Sequence, residues 1–180
     1  MTNIQKRFND SVAEKADWQM LNTATASFNT RKLVIDNNDR IKYKMTWFFR
    51  GFLGLFIIVG LSGLFEHKAF VLFIFLGLVG FCFSSFPIVF DKKRNLFFRG
   101  RSSELFMDYV EINLSEIYAL QLIGEWVSGS DGGAYNNYQI NLINKESKRL
   151  HVACYASNKK AKEDALILKN FLGVKLWDLT

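Results

Sequence analysis

The sequence predicts an α+β membrane protein: a transmembrane helical hairpin joined to a cytoplasmic antiparallel β-domain that a C-terminal helix caps. Three observations carry this expectation. Twelve of the 18 phenylalanines fall between Met45 and Phe90. Two uncharged runs, Gly51–Phe65 and Ala69–Phe90, lie there with only Glu66, His67 and Lys68 between them. Beyond Phe90, apolar residues alternate with polar ones, and a helix-spaced stripe follows near the end. The chain divides accordingly into an N-terminal cytoplasmic segment (residues 1–44), a two-helix transmembrane hairpin (45–90) and a cytoplasmic β-domain (91–180). At 180 residues and 49% apolar composition, intrinsic disorder is excluded. Two cysteines, one inside an apolar run, exclude a disulfide scaffold.

In the N-terminal segment, Ile4, Phe8, Val12, Ala16 and Met20 recur every four residues, a helix-like stripe over residues 1–21. The stripe is thin and its flanking charge mixed, so docking on the C-terminal domain is preferred to lying on a bilayer surface. Residues 22–30 (NTATASFNT) are a polar, small-residue connector. Lys32–Ile35, the turn Asp36–Asp39 and Ile41–Met45 read as a β-hairpin that runs into the first span.

Ala69–Phe90 would measure about 33 Å as a helix, against a hydrocarbon core of roughly 30 Å. The first run, extended back to Met45, crosses only Arg50, which can snorkel to headgroups, with Trp47 at the interfacial aromatic belt. Residues 1–50 carry nine basic and five acidic side chains, and residues 91–105 five and two. The positive-inside rule then places both termini in the cytoplasm of a bacterial inner membrane. Lys92, Lys93 and Arg94, with Trp47 and Arg50, form the expected membrane interface, facing anionic lipid. The remaining residues, 106–180, have eight basic and nine acidic side chains, so the basic excess suits lipid and not nucleic acid. Gly77, Gly80 and Ser84 mark a small-residue seam. It serves either a homo-oligomer or the packing of the hairpin on itself, and the second is preferred.

Pro87 ends or kinks the second span. Short strands follow at Ile88–Phe90 and Leu96–Arg99, then around Val110–Leu114, Tyr118–Leu122, Tyr138–Leu142 and Leu150–Cys154. The closing helix has Ser157 as N-cap, a stripe of Ala161, Ala165, Leu168 and Leu172, and Gly173 as its stop.

Strands followed by one final helix resemble a pleckstrin-homology-like domain. The run Tyr138–Leu142, then Lys148–Val152, then Ala161 through Ala165 to Phe171–Val174 and Leu176–Asp178 is similar to a family of uncharacterised bacterial inner-membrane proteins with two central spans. That likeness covers residues 28–180 and implies no activity, cofactor or phosphoinositide ligand.

Catalytic chemistry finds little support. His67 lies in the connector. His151 reads as a solvated strand residue, and Cys154 falls on the apolar side of the same strand. Cys82 lies inside the second run. No metal-ligand spacing, cofactor motif or phosphate loop occurs. The unusual segment is Gly124–Asn137 (GEWVSGSDGGAYNN), a hairpin loop in which Trp126, Asp131, Tyr135 and Tyr138 would anchor a protein partner. The expected function is a membrane-anchored, non-enzymatic interaction module. The alternatives are an oligomeric membrane assembly or conduit, and an immunity protein against a toxin acting at the inner membrane.

Overall fold

The computed structural model describes residues 7–21, 31–84, 87–100, 109–128 and 134–180. They form two compact units. One comprises Met1–Asn29, Arg94–Phe97 and Ile112–Thr180, the other Thr30–Lys93 and Phe98–Glu111. Among the described residues, nine strands make a five-stranded sheet in the order β1 (Arg31–Asn37), β2 (Arg40–Met45), β3 (Ile88–Asp91), β4 (Leu96–Arg99), β5 (Val110–Asn113), and a four-stranded sheet in the order β8 (Arg149–Tyr155), β7 (Ala134–Asn144), β6 (Ile117–Ser128), β9 (Lys175–Leu179).

The second unit begins with β1 (Arg31–Asn37) and β2 (Arg40–Met45), the hairpin that the Asp36–Asp39 turn predicts. Then come α2 (Trp47–Gly63) and α3 (Val71–Ser84), linked by a turn that contains a short 3-10 helix, Lys68–Phe70. His67 caps that turn, its Nδ1 accepting the Ala69 N–H at 3.1 Å. Past Pro87 the chain forms β3 (Ile88–Asp91), antiparallel to β2, then β4 (Leu96–Arg99) and β5 (Val110–Asn113).

The expected transmembrane hairpin is overturned. Among the described residues, no helix is long and apolar enough to cross a membrane. The reason is local. The 22-residue run from Ala69 is not one helix: α3 ends at Ser84, and Ile88–Phe90 belong to a strand. Met45 likewise belongs to β2, so the first helix starts only at Trp47. The 17 residues of α2 and the 14 of α3 span about 25 and 21 Å, short of a roughly 30 Å core. The inner-membrane placement and the cytoplasmic termini lose their basis with the spans. So does the interface role of Trp47 and Arg50 in the first turn of α2 and of Lys92, Lys93 and Arg94 in the β3–β4 turn, all exposed. The seam glycines bring the two helices together: a Cβ on Gly77 would stand 2.6 Å from Ile57 Cγ1, and one on Gly80 2.6 Å from Leu53 Cδ2.

The first unit holds β6 (Ile117–Ser128), β7 (Ala134–Asn144), β8 (Arg149–Tyr155), α4 (Asn158–Leu172) and β9 (Lys175–Leu179). Helix α4 starts and stops where its residues dictate. Ser157 Oγ accepts the Lys160 N–H, and Gly173 adopts a left-handed φ of 71°. The helix covers one face of the sheet, burying Ala161, Ala165 and Leu168 over Leu120, Leu122, Ile140, Leu142 and Val152. Each such branched side chain contributes about 1.5–3 kcal/mol. This departs from an antiparallel domain closed by a helix: the chain continues past Gly173 into β9, which pairs parallel to β6.

The opposite face is covered by residues 7–21. The helix there, α1, is five residues long (Ser11–Lys15), capped by Asp10, so within residues 7–21 the four-residue stripe is helical over little more than one turn; Ile4 lies outside the described residues. Ala13 and Ala16 are buried against Ala119, Ile143 and Trp177, with Phe8, Val12, Trp18 and Tyr118 packed around them. The Phe8 and Trp18 rings stack at 5.3 Å, and Trp18 lies 5.8 Å from Trp177. The preferred docking of this segment on the C-terminal part of the chain is what the structure contains.

Candidate functional site

Two features of the first unit stand out: a projecting arm and a buried polar face. The arm arises because β6 and β7 outrun their neighbours. β9 pairs only with Ala119–Ile123, and β8 only with Tyr138–Ile143. Residues 125–128 and 134–137 therefore continue as a two-stranded ribbon, about 13 Å long at 3.3 Å per residue. Trp126, opposite Asn136, is 69% exposed. Gly124, opposite Tyr138, leaves room for that ring; a Cβ there would meet Tyr138 Cε1 at 2.9 Å. Alternation puts Trp126 and Tyr138 on the face that carries α4, while Tyr135, opposite Val127, lies on the other. The structure thus joins two of the expected aromatic anchors and separates the third. Asp131 lies outside the described residues.

The polar face escapes a reading by sequence. Gln121 on β6 and Asn137, Gln139 and Asn141 on β7 share the face opposite α4, and each is at most 1% exposed. Buried carboxamides need partners. Asn141 Nδ2 donates to Gln121 Oε1 at 3.1 Å and to Gln139 Oε1 at 3.3 Å. Further bonds go to residues 17–21, which lie across the face: Gln121 Nε2 donates to the Asp17 carbonyl, and Gln139 Oε1 accepts the Leu21 N–H. Arg149 reaches the Asp17 carboxylate and the Gln19 carbonyl. At the other end, Asp10 Oδ2 accepts from Lys175 Nζ at 2.7 Å and Tyr118 OH at 2.9 Å. Burial pushes the Asp10 carboxyl up, but these bonds and those from the Val12 and Ala13 N–H groups prevail and hold its pKa below 3.8. The only advance signal is the spacing Asn137, Gln139, Asn141, which any solvated strand face shares.

His151 and Cys154 also lie on this side. A bulge between Ile140 and Asn141 in the β7–β8 pairing places His151 opposite Asn141 and Cys154 opposite Gln139. The pair meets at 3.1 Å, against the expectation of a solvated histidine and a cysteine on the apolar side. Burial pushes the thiol up, and the Gln139 Nε2 bond to its sulfur works weakly the other way. A thiol held protonated is a poor nucleophile. The arrangement suits a packed hydrogen-bonded pair.

No family model, no curated protein and no solved structure matches the chain. The likeness to two-span proteins therefore assigns no role to any residue.

Proposed function

We propose that the protein is a non-enzymatic interaction module whose β6–β7 arm engages a protein partner. The observation that carries this is Trp126: 69% exposed, on a ribbon with no neighbouring strand among the described residues. Tryptophan is enriched among residues that dominate binding energy, because it buries a large area at little entropic cost. A partner strand added to such a ribbon would supply affinity through main-chain hydrogen bonds while the indole supplies specificity. The test places a photo-crosslinking residue at position 126 of the full chain, with position 166 on α4 (Leu166, 48% exposed) as control. The expected result is a discrete adduct from 126 alone. Equal adducts from both positions overturn the reading.

A second reading rests on the helical hairpin. Phe48, Phe52, Leu55, Ile58 and Leu61 of α2 and Leu72, Phe75 and Leu78 of α3 are all exposed. Gly51 and Gly54 have open space where a Cβ would stand, leaving room for another helix to approach. Apolar surface of this extent favours association, here of copies of the chain through their hairpins. Leu55→Lys with Ile58→Lys is expected to return the assembly to single chains in a mass measurement. An unchanged mass overturns it.

A further inference from the structure

The contact between His151 and Cys154 holds more chemistry than packing needs. Nε2 of the imidazole stands 3.1 Å from Sγ, so with its proton on Nδ1 the ring can accept the thiol proton. Gln139 Nε2 donates to the same sulfur at 3.6 Å. An acceptor for the proton and a donor for the charge left behind are what a reactive thiolate requires.

Gln139 also ties this thiol to residues 17–21. Its Oε1 accepts the Leu21 N–H at 2.9 Å, while its Nε2 serves Cys154. Cys154 lies opposite Gln139 in the β7–β8 pairing, on the face that residues 17–21 cross. While the segment is seated, burial keeps the thiol protonated. The segment is held by a small number of contacts: Arg149 pairs with the Asp17 carboxylate, and the Trp18 ring packs on Phe8 and Trp177. Asp17 is exposed and Trp18 half-buried, the kind of attachment that opens locally while the rest of a fold stays closed. Lifting the segment returns water to this face and removes the desolvation that disfavours a thiolate.

We propose that Cys154 is a redox-modification site gated by residues 17–21, oxidised to a sulfenic acid by a hydroperoxide when the segment lifts. The thiol proton passes to His151 Nε2. The thiolate sulfur attacks the terminal oxygen of the hydroperoxide, and the S–O bond forms as the O–O bond breaks. The leaving alkoxide or hydroxide takes the proton back from His151. Sulfur gives up two electrons, and the hydroperoxide is reduced to an alcohol or water. The new S–OH group needs the space between Sγ and Gln139 Nε2, so oxidation displaces the amide that holds Leu21. The state of the thiol is thereby passed to the N-terminal segment. This site does not rest on the Trp126 arm binding anything.

The test treats the full chain with hydrogen peroxide and a dimedone trap at pH 7 and reads the adduct at each cysteine by peptide mass, with the exposed Cys82 as internal control. The Cys154 adduct is expected to form slowly in the unaltered chain. It should form about threefold faster in Asp17→Ala, the worth of an exposed ion pair. In Trp18→Ala it should form about tenfold faster, the worth of the lost ring contacts. The Cys82 rate is expected to stay constant. Asp17→Ala changes an exposed side chain, so it tests the gate even if Trp18→Ala fails to fold. A Cys154 rate indifferent to the loosened segment overturns the proposal. Adding His151→Gln to either variant is expected to abolish the acceleration, and if the acceleration survives, the thiol is merely uncovered and the proposal falls. In the reverse direction, peroxide treatment is expected to speed deuterium exchange at the Leu21 N–H, with no response in Cys154→Ser. Equal exchange before and after oxidation overturns the coupling.

Discussion

His151 Nε2 lies 3.1 Å from Cys154 Sγ although the two are three positions apart in a strand. Strict alternation would put them on opposite faces. The bulge opposite Ile140 and Asn141 absorbs one residue and returns both to the same side. The thiol is pushed up by burial, so its thiolate is scarce at neutral pH. Iodoacetamide at pH 7 is expected to label Cys82, which is exposed, well before Cys154. Labelling of Cys154 should rise only as the pH passes its raised value. Equal rates at pH 7, read by peptide mass, would contradict the packing.

The bond between Asp10 and Lys175 sets a pH window for residues 8–18. The Asp10 pKa is below 3.8 in the fold, so its contribution is complete above 3.8 and is lost as the pH falls through the lower folded value. Lys175 is raised above 10.5, by Asp10 first and Tyr118 next, so its contribution is complete below 10.5 and is lost as the pH rises through the raised value. Hydrogen exchange at Val12 and Ala13 is expected to be slow between these limits and faster on either side. Asp10→Ala also removes the cap of α1, which costs about 1 kcal/mol. Protection that stays unchanged down to the lowest pH at which the protein remains folded sinks this account.

Asp164 shows the opposite sign. It lies 7% exposed on the buried face of α4, with Tyr155 OH donating to Oδ2 at 2.8 Å. Burial pushes its pKa up, and the Tyr155 bond and Lys160 offset this only in part. A folded value above 3.8 means the fold favours the protonated form, so stability falls as the pH rises through that value. Asp164→Asn keeps an acceptor for Tyr155 and removes the charge. It is expected to raise the melting temperature at pH 7 and leave it unchanged at pH 3. A lower melting temperature at pH 7 would show the charge to be stabilising.

Glycines of the helical hairpin divide by what lies beside them. A Cβ on Gly77 would meet Ile57 Cγ1 at 2.6 Å and the Leu53 carbonyl at 3.0 Å, so Gly77→Ala is expected to cost about 1–3 kcal/mol. Gly54 has nothing within 4 Å, and Gly54→Ala is expected to gain up to about 1 kcal/mol from helix propensity. Thermal denaturation distinguishes them, and equal effects would refute the helix pairing.

Much of the local structure is legible in the residues because the signals are local. Ser157 and Gly173 bound α4, and the Asp36–Asp39 turn closes the first hairpin. What sequence reading misses depends on distant contact. Residues 138–142 alternate apolar with polar, which implies a solvated polar face. In the fold, that face lies beneath a segment more than 100 positions earlier. Lys175–Leu179 is too short for its alternation to register, and only parallel pairing with β6 makes it a strand. The long apolar run from Ala69 has uniform composition, so hydropathy does not reveal where helix gives way to strand. The arm is visible as an unusual glycine-rich stretch, but the face each aromatic occupies follows from register alone.

The meeting of Trp18 with Trp177 bears on the order of events at the ribosome. Those rings are 159 positions apart, so at 5–20 residues per second the earlier one waits about 8–32 s for its counterpart to be synthesised. Through that interval Phe8, Val12 and Trp18 have no β9 to rest on. Nascent chains stalled before residue 175 should accordingly recruit holdase chaperones through their leading segment, and release them once the last strand emerges.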